Sequence, residues 1–516
     1  MPGYVCKDHR QTPLQRALEF KNTGNVYFIE GKYDEAIAQY NKAIDICPRM
    51  KETATFYQNR AAVNEQLKKY SDVRADCTKA LELNPRYMKA LLRRARASKQ
   101  LGDLEAAWDD VTTVCTNENF SNQTCNAMAS KILKKLVKQF VQENLTNKKF
   151  IMPSKEFIRK YTSSFPNDPV FSRLQKPENI PEFLRKPLRA LKDKKYDDII
   201  PLCTKIIKKP EFDTLPSTKL EVLLLRATFY VLLGKYDSAI QDFERILSSE
   251  DASDDVKTNA LIKRAALYTN LENLEMAFKD FELAINMNPS YSEIYYFRGA
   301  AYLTMNKFDE AKHNFDKAIE YDPNFCIGYM QKYYFEYHMK EKCNLFSTNV
   351  LAEEVARAFE KYPNSSGRAY CYTMYAEILI QNKQYEDADT YLVKAIEKDP
   401  ENALIHAHRA ELLLLWDDIE KAKEHLNKAL DLDEKCELVH VLLGRIAVQE
   451  GKLEKAIRLF DKAVALCPIH YVSQTSTEEM TDTFYLRENA KLQLKLKKLK
   501  KKIIDINNIF PPCGHL

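Results

Sequence analysis

The sequence predicts an all-α fold in which about eleven helix-turn-helix repeats stack into a superhelix, divided into two blocks. Three observations carry this. The first is self-similarity. A small residue opens the second helix of each unit, at Ala36, Ala239, Ala277, Ala311, Ala388, Ala422 and Ala456, and the steps Ala277 to Ala311, Ala388 to Ala422 and Ala422 to Ala456 are each 34 residues. The second is a proline that ends those helices, in KAIDICP, KALELNP, LAINMNP, KAIEYDP, KAIEKDP and KAVALCP, with Pro289 and Pro323 again 34 apart. Proline has no N–H to continue the ladder, so it stops a helix where the repeat must turn. The third is length and composition: 516 residues exceed one ordinary domain, and 45% hydrophobic with only 11 Gly suits a helical array.

The pattern resembles the tetratricopeptide repeat, and its physical logic is visible in the residues. Small side chains at Gly24, Ala61, Ala95, Gly299, Ala410 and Gly444 let the two helices of a pair approach closely. One pair cannot bury its apolar face alone, so pairs stack. In chain order, residues 1–16 read as a disordered N-terminus. Repeats one to three begin near residues 17, 54 and 88. An amphipathic helix follows at Lys131–Val141, with Leu133, Leu136, Val137 and Phe140 on one face, so the first block spans 17–147. Residues 148–183 contain Pro153, Pro166, Pro169, Pro177 and Pro181 and read as a joint between the blocks. Repeats four to eleven, the second block at 184–470, begin near 184, 220, 258, 292, 326, 369, 403 and 437; the fourth and eighth fit least well. Residues 471–516 read as a capping helix and tail, with Leu492, Leu496, Leu499 and Ile503 on one stripe.

Several function classes are disfavoured. The balance of 78 basic and 73 acidic residues leaves a net charge of +5, too small for a nucleic-acid binder. The 12 Cys contain no CxxC and read as reduced core thiols. His406 and His408 are two apart and lie on different helix faces, which argues against a metal pair. No GxGxxG, GxxxxGKS, HExxH or GxSxG occurs, and the repeats leave no room for a catalytic domain. The reading is therefore a binding protein, not an enzyme, without cofactor or metal.

Five polar residues recur at fixed places in the first block: Lys21 and Asn25, Asn59, and Lys89 and Arg93. Each i,i+4 pair shares a helix face. If the first helices of three repeats line one groove, three cations and two amides meet there, a set suited to two neighbouring carboxylates such as a peptide C-terminus ending in Asp. In the second block the same register holds Leu225, Lys263, Phe297, Met374, His408 and Leu442. One residue earlier stand Leu224, Ile262, Tyr296, Thr373, Ala407 and Val441. This groove is more apolar and carries Glu377 and Glu411, so Tyr296, Thr373, Glu377, Glu411 and Val441 are the expected lining for an amphipathic segment with basic groups.

The five-residue set is similar to the dicarboxylate clamp of cochaperones that hold the acidic C-terminal tails of the seventy- and ninety-kilodalton heat-shock chaperones. By that resemblance Lys21, Asn25, Asn59 and Lys89 hold the terminal carboxylates and Arg93 supports the tail. With FYQNRAA, DCTKALELNPRYMKALLRRARA, IMPSKEFIRKYTSSF and NNIFPPCGHL, the chain from about residue 17 onward resembles the seventy-kilodalton receptors of the mitochondrial outer-membrane translocase, animal type. The resemblance implies a receptor on the cytosolic face of that membrane. Its first block would dock the chaperone, its second would bind preproteins, often carrier-type, and other translocase subunits would be partners. The family has an N-terminal membrane anchor, whereas this chain starts MPGYVCKDHRQTP. The expectation is accordingly a truncated product, or a soluble form that is cytosolic if complete. The competing reading is a soluble cochaperone adaptor without membrane attachment.

Overall fold

The computed structural model describes residues 12–118, 121–147, 150–342 and 368–466, with a few residues between 483 and 494. Every regular element among them is helical. The chain packs as two compact units, one holding the residues up to Thr146, the other Asn147–Lys491.

In the first unit three helix pairs follow one another: α1 (Pro13–Ile29) with α2 (Tyr33–Ile46), α3 (Thr53–Gln66) with α4 (Tyr70–Leu83), and α5 (Met88–Gln100) with α6 (Leu104–Asn117). Then comes α7 (Gln123–Asn147), which starts earlier than its apolar stripe suggested and buries Ile132, Leu136 and Val137. The N-terminus corrects an expectation. Residues 13–16, read as disordered, are the first turn of α1. Thr12 caps it: Gln15 N–H donates to Thr12 Oγ1 at 3.3 Å and Thr12 N–H to Gln15 Oε1 at 2.8 Å, with Pro13 at the first helical position. Two of the orphan donors of a helix start are satisfied this way. The signal TPLQ was present in the sequence.

The second unit begins with α8 (Lys155–Ser163) and the short α9 (Pro169–Ser172). Next stand α10 (Glu182–Lys192), α11 (Ile199–Ile207), α12 (Lys219–Leu233), α13 (Tyr236–Leu247), α14 (Asp254–Asn270), α15 (Leu274–Met287), α16 (Ser292–Thr304), α17 (Phe308–Tyr321) and α18 (Cys326–Lys342). Beyond residue 367 come α19 (Arg368–Gln381), α20 (Tyr385–Lys398), α21 (Ala403–Leu415), α22 (Ile419–Leu432), α23 (Glu437–Gln449) and α24 (Leu453–Leu466). The rest of the eighth repeat and the stripe at Leu492, Leu496, Leu499 and Ile503 lie outside the described residues.

Three devices repeat along the array. A ring fills the slot left by a missing side chain. A Cβ on Gly299 would meet the Phe315 ring at 2.7 Å, and one on Gly444 the Phe460 ring at 2.4 Å. Neither fits without moving a ring buried in close packing. Second, the turn inside each pair needs one left-handed residue. Gly31, Gly102, Gly234 and Gly451 supply it at no steric cost, while Lys68, Lys194, Glu272, Asn306, Lys383 and Asp417 adopt it despite a Cβ. Third, an arginine on the first helix forks onto an aspartate 16 residues later on the second: Arg60–Asp76, Arg94–Asp110, Arg226–Asp242 and Arg264–Asp280, with N–O distances of 2.5–2.7 Å at the closest contact. Both carboxylate oxygens accept, so geometry as well as charge holds the two helices in register.

Residues 150–183 are folded into the second unit. Phe165 stacks on Phe297 of α16 at 4.8 Å between ring centroids. Asn167 binds the Glu293 carboxylate through its N–H at 3.1 Å and its Nδ2 at 2.7 Å, and its carbonyl accepts from Asn259 Nδ2. Arg173 forks onto Glu221, with Nη2 to Oε1 at 2.6 Å. Asp168 and Lys263 form an ion pair in which both side chains are buried. At its other end, Lys155 donates to Asp433 Oδ2 and to Leu432 O, and Arg159 pairs with Asp399. The segment is thus a strut that ties the first helices of repeats five to seven to the turns after α20 and α22.

Candidate functional site

The first helices α1, α3 and α5 bring part of the predicted polar set into contact. Asn59 Nδ2 donates to Asn25 Oδ1 at 2.9 Å, joining α3 to α1. Arg93 Nη1 donates to the Gln58 carbonyl at 3.1 Å, joining α5 to α3. Lys21 and Lys89 each stand one turn before Asn25 and Arg93 on the same helices. Among the described residues neither lysine forms an ion pair, and Lys89 is exposed.

The structure adds a carboxylate to this set. Glu65 of α3 accepts from Arg93 Nε at 2.7 Å and from Arg96 Nε at 2.7 Å. Burial pushes the Glu65 carboxyl up, but the hydrogen bonds from Arg96 and Arg93 outweigh it and hold the group below its ordinary range. Two guanidinium groups share one carboxylate, so positive charge remains and the Arg93 side chain is held in place. Sequence reasoning missed Glu65; its place, six residues after Asn59 on the same helix, carries no periodic signal.

In the second unit the expected lining residues part ways. Tyr296 packs among Phe297, Phe315 and Phe325, with centroids 4.9–6.4 Å away. Thr373 is buried, and its hydroxyl donates to the Ala369 carbonyl at 2.9 Å. Val441 is half-buried on α23. Glu377 and Glu411 are brought together by His408: Nε2 lies 3.2 Å from Glu377 Oε1, and Nδ1 lies 3.9 Å from Glu411 Oε2. Arg445 stands 3.6 Å from Glu411. One polar cluster therefore crosses α19, α21 and α23. Burial alone would lower the His408 pKa; the neighbouring Glu411 and Glu377 carboxylates more than offset it, so the imidazolium is favoured. The nearby His408 in turn holds Glu411 below its usual range. The strut borders this region, since Lys160 of α8 lies over the Tyr370 ring of α19 at 5.5 Å. Lys263, which stands in the register of Asn59 and Arg93, is spent on Asp168 of the strut.

Comparison with known proteins follows the same architecture. A TPR repeat model matches residues 24–68, and tetratricopeptide repeat models match 220–252, 258–291, 292–325, 369–402 and 417–468. The mitochondrial import receptor subunit TOM70 of Rattus norvegicus is 36% identical over 417 residues, covering 77% of this chain and 67% of the relative. The protein of the same name from Homo sapiens gives the same identity and coverage. The chain thus spans about two thirds of the length of these relatives. The crystal structure of the yeast Tom70 has a TM-score of 0.56 at 23% identity, over 94% of this chain and 98% of that one, a likeness of fold. These are protein-binding receptors, not enzymes. The matched 77% of the chain is longer than the second unit alone, so the likeness reaches into both: the chain belongs to the TOM70 family of mitochondrial import receptor subunits.

Proposed function

We propose that this protein is a mitochondrial import receptor that joins two binding events. The first-unit groove docks the acidic C-terminal tails of seventy- and ninety-kilodalton heat-shock chaperones. The second-unit array binds the preprotein, carrier-type clients among them, for handover to other translocase subunits at the cytosolic face of the outer membrane. The carrying observation is the junction of Asn25 and Asn59 beside Lys21 and Lys89, which offers amide donors and uncommitted ammonium groups and suits a pair of carboxylates. For the preprotein, the strut already occupies the row of first helices at repeats five to seven. The His408, Glu377 and Glu411 cluster on repeats nine and ten is the more accessible place for a basic, amphipathic segment.

Tethering is the mechanism. A tail held by the first unit keeps its client near the second, so transfer becomes intramolecular at an effective concentration that can reach roughly millimolar. The test is Arg93→Ala in the full chain. Truncating one partner of a desolvated ion contact costs about 2–5 kcal/mol, or at least ~30-fold in affinity. Calorimetry with an acidic peptide ending in Asp should show that loss, and transfer of a chaperone-bound client should fall with it. Binding of a free preprotein peptide should stay near wild type. Equal falls in transfer and in free-peptide affinity would mean that the two sites are not separate. Among the described residues no helix is long and apolar enough to cross a membrane.

A further inference from the structure

Tyr40 occupies a position whose counterparts need only bulk. It lies four residues after the small residue Ala36, and the same place holds Phe243, Phe281, Phe315, Leu392, Leu426 and Phe460, all fully buried and all without a polar atom. In the first unit the equivalents are Cys77 and Val111. The ring of Tyr40 performs the same task, since a Cβ on Gly24 would meet it at 2.8 Å. Phenylalanine does this elsewhere in the array, so packing leaves the hydroxyl unexplained. A phenol oxygen taken from water without a partner is costly. Here it has one: Tyr40 OH donates to Asn25 Oδ1 at 2.8 Å.

That oxygen also accepts from Asn59 Nδ2 at 2.9 Å. A carbonyl oxygen has two lone-pair directions, and both are now taken. A reversed Asn25 amide would leave the buried Tyr40 O–H proton without an acceptor among the described residues, so the oxygen faces the protein and the NH2 remains to donate. A carboxylate accepts hydrogen bonds and cannot donate them. With the amide turned over, the same site would present an oxygen to an incoming anion and repel it.

We infer that the Tyr40 hydroxyl is a positioning residue for the clamp, setting the polarity of Asn25 so that the site selects a free terminal carboxylate. The inference rests on the reading of the first-unit groove as a tail clamp. Burial pushes the phenol pKa up to about 12, which keeps it a donor throughout the physiological range.

The experiment is Tyr40→Phe in the full chain, titrated with an acidic peptide ending in Asp and with the same peptide carrying a C-terminal amide. One hydrogen bond of this kind corresponds to roughly 3–10-fold in affinity. The free-acid peptide should weaken by that factor, the amidated peptide should change little, and the preference for acid over amide should narrow accordingly. The melting temperature should hold, because the ring and its packing are kept. A double-mutant cycle with Asn25→Ala completes the test: in that background Tyr40→Phe should have no further effect on the acid peptide. An unchanged acid-over-amide preference in Tyr40→Phe overturns the inference while leaving the clamp standing. Equal weakening of both peptides with a lowered melting temperature also overturns it, since that is the signature of packing alone. A wild-type protein that does not distinguish acid from amide overturns the clamp itself.

Discussion

Lys263→Met should loosen the strut and destabilise the second unit by about 3 kcal/mol. Lys263 is fully buried and Asp168 is 1% exposed. The ammonium also donates to Thr228 Oγ1 at 3.0 Å and lies over the rings of Phe165 and Phe171 at 4.7 and 4.9 Å. Methionine fills much of the space but leaves a carboxylate in a dry site. Breaking one side of a buried pair typically costs about 3–5 kcal/mol. The lower end applies because Asp168 Oδ1 keeps the N–H groups of Val170 and Phe171, at 2.7 and 3.1 Å, while only Oδ2 is orphaned. Removing the charge as well, in Lys263→Met with Asp168→Asn, should recover most of the loss, since a buried pair can be replaced by neutral groups at little cost. Urea unfolding measures the stability. Limited trypsin digestion reports the strut, whose Arg159, Lys160, Arg173 and Lys176 should be cut faster in the single variant than in the double. Wild-type stability and cleavage rate in the single variant would refute the reasoning.

Two further outcomes follow from the structure. Glu272 sits at φ 59°, where an L-residue pays about 1–2 kcal/mol; Glu272→Gly should raise stability by about 0.5–1 kcal/mol once the looser unfolded chain is counted, read from the urea midpoint. His408 gains its carboxylate partners on folding, so its raised pKa adds stability that is full below the ordinary value of 6.5 and is lost as pH rises through the folded-state value. His408→Gln should therefore lower the melting temperature more at pH 6 than at pH 8, and equal lowering at both would remove the charged histidine from the account. The groups that face it are Glu377, Glu411 and Lys160, with Arg445 beyond Glu411.

The repeat fold and the polar set proposed as a clamp stand out in the sequence for one reason: both are periodic. A 34-residue step between small residues reports one packing solution used many times, and i,i+4 spacing places Lys21 with Asn25 and Lys89 with Arg93 on shared faces without any knowledge of the tertiary fold. The forked arginines are equally periodic, each 16 residues before its aspartate, but the pairing crosses the turn between two helices, where i,i+4 spacing carries no information. The helix start at Thr12 was present as a capping box and was hidden by the polar composition around it.

Glu65, Tyr40 and the strut belong to the tertiary structure. Tyr40 looks like one more packing ring until the hydroxyl is found 2.8 Å from Asn25, and Glu65 is an ordinary helix acid until α5 brings two arginines to it. The five prolines of residues 148–183 truly exclude an uninterrupted helix pair, which is all that local chemistry could say. Where such a segment goes depends on partners far away in the chain: Asp168 finds Lys263, and Lys155 finds Asp433. Local propensity and period determine which helices form and which faces they offer. Contacts across such separations are decided only when the stacked array closes on itself, because no short stretch of sequence contains both partners.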